Sequence, residues 1–171
     1  GGDPIPVRVF IRPQSSLLLH RLSHFTAVLV DLRPQEEAQA LQEAIADLAR
    51  DAEDIIANEG WGLMHIAETA AEALGVPRVN VWWFSPDRRY LRCAESYDAH
   101  TGQHVAGSVL DLSGFPHYAQ ALEEARVIDA DDAPRDPRTQ ELATDYFRPR
   151  GIGALLDAPI RVEGRVAGVL C

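Results

Sequence analysis

Two cysteines in 171 residues, Cys93 and Cys171, are too few and too far apart to form a disulfide framework. Both lie in apolar segments, as buried reduced thiols do, which points to a reducing, cytoplasmic compartment. No run approaches the roughly 18 apolar residues of a membrane-crossing helix. The first twelve residues also lack the cationic start and apolar core of a secretory leader. Basic charge is scarce as well: 16 basic residues against 26 acidic ones leave a net charge of -10, which repels phosphate backbones and anionic lipid surfaces. Nucleic acid and membrane surfaces are therefore excluded as expected partners of this stretch.

Signs of catalysis are equally sparse. No nucleophile elbow, glycine-rich phosphate loop or dinucleotide fingerprint occurs, and Gly151-Ile152-Gly153 enters a strand rather than a helix. Of six histidines, His100 and His104 share a helix-like spacing in a Gly-containing loop, without the Cys or carboxylate that a metal site would need beside them. No cofactor is implied, and the chain reads as non-catalytic.

What is present is 46% hydrophobic sequence with three successive periodicities. Ile5, Val7, Val9 and Ile11 alternate with other residues as in a strand, and Phe25 to Leu32 forms a second strand-like run. From Gln35 to about Asn58, Ala38, Leu41, Ile45, Leu48, Ala52 and Ile55 follow a heptad seam. Such a seam can lie on its own domain or on the same helix of a second subunit, and a homodimer is the reading carried forward. After it, helix and strand alternate. A helix is expected over Leu63–Leu74, strands over Val79–Phe84 and Tyr90–Tyr97, and a loop to Gly114. Phe115–Ala125 and Thr139–Tyr146 read as short helices, with Val127-Ile128 as a short strand. Ile152–Ile160 and Arg165–Cys171 read as strands joined by a hairpin turn at Glu163-Gly164.

Three features of this last part carry a family resemblance: FPHY at 115–118, the run DAPRDPR at 132–138, and GIGALLDAPI at 151–160 followed by GRVAGVL at 164–170. Together they make the stretch from Leu63 to Cys171 resemble a GAF domain. That resemblance implies an α/β (α+β) fold with a central antiparallel sheet flanked by helices, and a sensory or regulatory role. The two strands followed by Asp31-Leu32-Arg33 resemble the end of a PAS domain, with Arg33 in place of the usual Thr. Gly1-Gly2-Asp3 then reads as a turn rather than as the start of a cyclase signature, which Pro4 and Ile5 break.

The expected organisation is a partial PAS-like β segment over 1–34, a linker helix over 35–58 and a GAF-like domain over 59–171. The family adds a strand and a helix after this point, so Arg165–Cys171 is expected to be an exposed sheet edge. The output module, a histidine kinase or diguanylate cyclase, would lie downstream. The same resemblance places a small-molecule pocket between the sheet and the short helices, lined by Trp82, Phe84, Tyr97, Phe115, Tyr118 and Tyr146, with Asp132, Asp136 and Arg138 orienting the ligand. Asp132 and Asp136 equally suit loop capping, with Arg138 as their partner. Because Trp82 and Trp83 are adjacent on a strand, only one can face the pocket. Neither cysteine is followed by a His, which leaves a bilin without an attachment point, and the cyclic-nucleotide residue set is absent. A ligand-free dimerisation scaffold and a small redox enzyme on the same fold are the alternatives.

Overall fold

The computed structural model describes residues 7–15, 22–31 and 35–171, with side chains for residues 39, 41–55 and 57–171. The turn expected at Gly1–Asp3, Ile5, the Arg33 junction and the Ala38 side chain lie outside the described residues. Strands β1 (Val7–Ser15) and β2 (Leu22–Asp31) form an antiparallel pair of their own. Three helices follow: α1 (Gln35–Arg50), α2 (Ala52–Ala57) and α3 (Glu59–Leu74).

The single helix expected over 35–58 is thus divided at Asp51, whose ψ of 7° leaves the helical range. Hydrogen bonds from Asp51 N to Asp47 O and from Ile55 N to Asp51 O carry across it, which makes the break a kink rather than a turn. At Asn58 the chain does turn. The Asn58 side chain accepts from Trp61 N at 3.2 Å and starts α3 four residues ahead of the Leu63 expected from periodicity. Gly75, at φ 61°, ends it in the left-handed conformation that favours glycine. The turn folds the heptad seam back onto α3. Leu41 is buried, and a Cβ at Gly62 would lie 2.5 Å from Ile55 O, so α2 and α3 touch backbone to backbone.

The remaining strands, β3 (Arg78–Phe84), β4 (Tyr90–Asp98), β5 (Gln103–Val105), β6 (Val109–Asp111), β7 (Ile128–Ala130), β8 (Leu155–Val162) and β9 (Arg165–Leu170), form a seven-stranded sheet in the order β5-β4-β3-β9-β8-β7, with β6 also on β4. Every pairing is antiparallel. The order corrects one expectation: β9 is not an edge. It sits between β3 and β8, pairing Gly168–Leu170 with Val81–Trp83, and its apolar sequence reflects burial on both sides. The β8–β9 hairpin turns at Glu163-Gly164, both at positive φ, as a two-residue hairpin requires.

Helix α3 covers one face of the sheet through Ala67 and Ala71 on Val79. The other face carries the main core. There α4 (Pro116–Glu124) and the turns over Gln140–Arg150 cover Trp82, Leu91, Cys93 and Val169, with Leu122, Leu142 and Phe147 almost wholly buried. The helix expected over Thr139–Tyr146 is instead a 3-10 turn (Gln140–Leu142) running into a π turn (Ala143–Phe147). Among the described residues no helix is long and apolar enough to cross a membrane.

Candidate functional site

A single irregularity in β4 decides which side chains share a face. Val81 pairs with Glu95 but Trp82 with Cys93, so Ala94 is an extra residue, a β-bulge. Simple alternation would put Leu91, Cys93, Glu95 and Tyr97 on one side. The bulge divides them. Leu91 and Cys93 face α4 with Trp82, whereas Glu95 and Tyr97 face α3 with Val81 and Val79.

Tyr97 is therefore not with the other expected pocket residues. It packs against the Ala67–Ala71–Val79 cluster and stacks on His104, ring centroids 4.7 Å apart. His104 joins Glu95 (Nδ1 to Oε1, 2.8 Å) and Glu68 of α3 (Nε2 to Oε1, 3.0 Å). Burial opposes charge on this imidazole, but the two carboxylates outweigh it and raise its pKa. A groove of about 420 Å³ bounded by Glu68, Ala71, Glu72, Tyr97 and Ala99 lies beside it.

On the α4 face, Trp82, Phe115, Tyr118 and Tyr146 come together and Phe84 packs on their margin. Tyr146 meets Trp82 edge-on at 6.2 Å and Phe147 at 6.0 Å. The ring of Tyr146 also carries the Arg150 guanidinium 4.2 Å from its centroid. Trp83, one residue on, points to the opposite face, where its ring closes over Gly168.

The three charged residues expected to orient a ligand build the loop instead. Asp136 holds Arg138 through its backbone N at 2.8 Å, Nε at 2.9 Å and Nη2 at 2.7 Å. Arg138 reaches on to Asp129 Oδ1 at 3.2 Å, so the loop is tied to β7. The guanidinium holds the Asp136 carboxyl below the usual carboxylate range. Asp132, exposed, pairs with Arg135 at 2.8 Å. Arg138→Ala is expected to cost about 1–2 kcal/mol, read by urea denaturation, because it leaves Asp136 without its main partner.

Beneath the aromatic residues runs a polar row that sequence reading missed. Asn80 and Cys171 exchange backbone hydrogen bonds (Asn80 N to Cys171 O, 2.9 Å; Cys171 N to Asn80 O, 2.8 Å). Ala158 opposes Leu170, and one step further along that register sets Asp157 opposite Cys171. Ser96 opposes Asn80 on the other side. Asn80, Cys171 and Asp157 thus stand side by side on three neighbouring strands, on the face that bears Trp82.

Asp157 is 2% exposed and accepts from the Tyr118 hydroxyl at 2.7 Å, with the Cys171 thiol as a second, weak donor. Burial pushes its carboxyl up to about 6, against the pull of those two donors. Burial and the neighbouring Asp157 charge raise the Tyr118 hydroxyl and the Cys171 thiol far above their ordinary values. Cys93 is raised to about 11, by burial and then by Glu95. The only sequence signal for this row was a carboxylate inside the apolar run LLDAPI.

Comparison with known proteins agrees with this architecture. The chain superposes on a methyl-accepting chemotaxis protein fragment (residues 122 to 287) with a TM-score of 0.59 and 23% identity, over 75% of this chain and 80% of that one. For the chromophore-binding domain of a bacteriophytochrome from R. palustris the TM-score is 0.60 at 15% identity, over 96% of this chain and 59% of that one. A free methionine-R-sulfoxide reductase from Neisseria meningitidis, solved with its substrate, gives 0.56 at 17% identity, over 81% and 74%. No curated protein sequence matches the chain. The GAF domain family model matches residues 63–171, which take in the whole of the seven-stranded sheet, α4 and most of α3, and the chain belongs to the GAF domain family.

Proposed function

We propose that this GAF domain is a sensory and regulatory module that binds a small molecule on the α4 face of its sheet. The observation that carries this reading is the polar row Asn80–Cys171–Asp157, its two outer members buried, beneath Trp82, Phe115, Tyr118 and Tyr146. Buried polar groups are costly where only a core has to be filled, whereas a few convergent polar groups among aromatic walls suit a ligand. Ligand preference for one arrangement of α4 and the 140–150 turns would shift a two-state equilibrium.

The signal leaves through α3, which lies on the opposite face of the sheet, and through α1 and α2 folded against it. The domain works as a homodimer through the seam of α1, where Ile45 and Leu48 remain partly exposed, beside the exposed Trp61 and Met64 of α3. The strands over 1–34 are the end of a PAS domain. The output is a downstream histidine kinase or diguanylate cyclase in the cytoplasm.

A second reading has one observation in its favour. Tyr146 already rests on Trp82, and a face filled by its own aromatic residues suits a scaffold that only dimerises. The redox reading is weaker: both thiols are held protonated by burial, and β3 separates the strand of Cys93 from Cys171, so neither is poised as a nucleophile.

Native mass spectrometry of the chain, purified gently from cells, separates these readings. The expected result is a dimer with added mass that is lost on denaturation. A bare dimer favours the scaffold, and a bare monomer removes the α1 interface as well.

A further inference from the structure

We propose that the site takes a small organic cation, a primary amine or an amidine on a flat apolar body, held between the Asp157 carboxylate and the Asn80 carboxamide. This rests on the reading of the α4 face as a ligand site, and adds to it the charge and shape of the ligand. Among the described residues the hydrogen-bond partners of Asp157 are both neutral, the Tyr118 hydroxyl and the Cys171 thiol, and none of those residues sets a cation against it. Asn80 is 8% exposed, and its side chain has no hydrogen-bond partner among the described residues. Its amide atoms are not sealed from solvent, so they stand open to a second polar contact beside the carboxylate.

The spacing fits one compact group. Asp157 and Asn80 stand on strands flanking the one that ends in Cys171, two strand spacings or about 10 Å apart at the backbone. Cys171, between them, is the smallest side chain of the row. An amidinium or ammonium above the thiol would donate to the carboxylate on one side and to the amide oxygen on the other. The aromatic rings of Trp82 and Tyr146 would then flank its apolar body.

The titratable groups around Asp157 are Tyr118 from α4, Tyr146 and Arg150 from the turn above, and Cys171 and Cys93 from the sheet. Arg78, at the start of β3, gives its guanidinium to Arg150 O at 3.3 Å. The Arg150 charge acts on Tyr146 and not on Asp157. With the carboxyl titrating at about 6, the site is anionic at pH 7.5 and neutral at pH 5.

Three isosteric probes test this, namely benzamidine, neutral benzamide and anionic benzoate, titrated against the whole chain by calorimetry and ligand-observed NMR. The expected result is that benzamidine binds at pH 7.5 at least ~tenfold more tightly than benzamide, a gap of about 1.4 kcal/mol. That gap closes at pH 5 in the wild-type chain, and at pH 7.5 in Asp157→Asn, which keeps an acceptor for Tyr118. Equal binding of benzamidine and benzamide, or a gap unchanged in Asp157→Asn, overturns the cation while leaving the ligand site standing. Tighter binding of benzoate does the same. Failure of all three probes to bind overturns both readings, and the pH series needs no variant to fold.

Discussion

Asp157→Asn is expected to raise the thermal unfolding midpoint at pH 7.5 by roughly 5–10 °C in the ligand-free chain. The unfolded carboxyl titrates near 3.8, while burial lifts the folded one to about 6. An acid whose folded pKa is raised binds its proton more tightly when folded, so its ionisation weakens the fold. The penalty is absent below about 3.8, grows through the window up to about 6, and is complete above it. Two units of separation correspond to about 3 kcal/mol. The neutral amide keeps an acceptor for the Tyr118 hydroxyl and has no charge to bury.

The stabilisation should therefore fade as pH falls from 6 towards 4, which thermal melts of the two proteins across that range would show. Asp87, Asp98, Asp111, Asp136 and Glu141 have lowered pKa values and lose their contribution as pH falls through those values. They are common to both chains and cancel in the comparison. A pH-independent difference would show that Asp157 is not ionised in the folded protein at pH 7.5. A substitution that stabilises the fold while abolishing cation selectivity would mark Asp157 as a functional group held at a cost to stability.

Gly168→Ala should have an effect of similar size and opposite sign, about 3 kcal/mol of lost stability. A Cβ there would lie 2.3 Å from the carbonyl oxygen of Trp82 and 2.5 Å from the nearest ring carbon of Trp83. The first is main chain of the adjoining strand and cannot rotate away. Either β9 moves off β3 or the indole is displaced, and both open the middle of the sheet. Urea denaturation measures the loss, and one below 1 kcal/mol would mean that β3 and β9 separate easily.

Strands β3, β4, β8 and β9, the β8–β9 turn and α4 were legible in sequence because each is strongly patterned and bounded by turn residues, whereas β5 and β6 are three-residue strands inside the stretch expected to be a loop. Three things were not. The bulge at Ala94 leaves no compositional trace, so the pocket lining implied by the resemblance included Tyr97, which the bulge turns to the other face. The seam of α1 reads the same whether it meets a partner or α3; only the Asn58 turn, with its short capping bond, folds it back. The polar row is invisible because it is assembled across strands far apart in sequence. Asn80, Asp157 and Cys171 meet through register, and nothing local marks any of them except the lone carboxylate in an apolar run.

The place of β9 also governs the order in which the fold can form. Strands β5, β4 and β3 make one half of the sheet and β8 and β7 the other, and among the described residues the two halves are hydrogen-bonded only through β9. Its partner β3 is separated from it by some eighty residues of chain. Closing so long a loop is slow, and until it closes the edges of β3 and β8 stand open to pairing with other chains. Cys171 joins Asn80 to Asp157 in the same event. On the proposed reading, the ligand site is therefore completed only as the sheet itself closes, and a half-folded molecule would have nothing to report from.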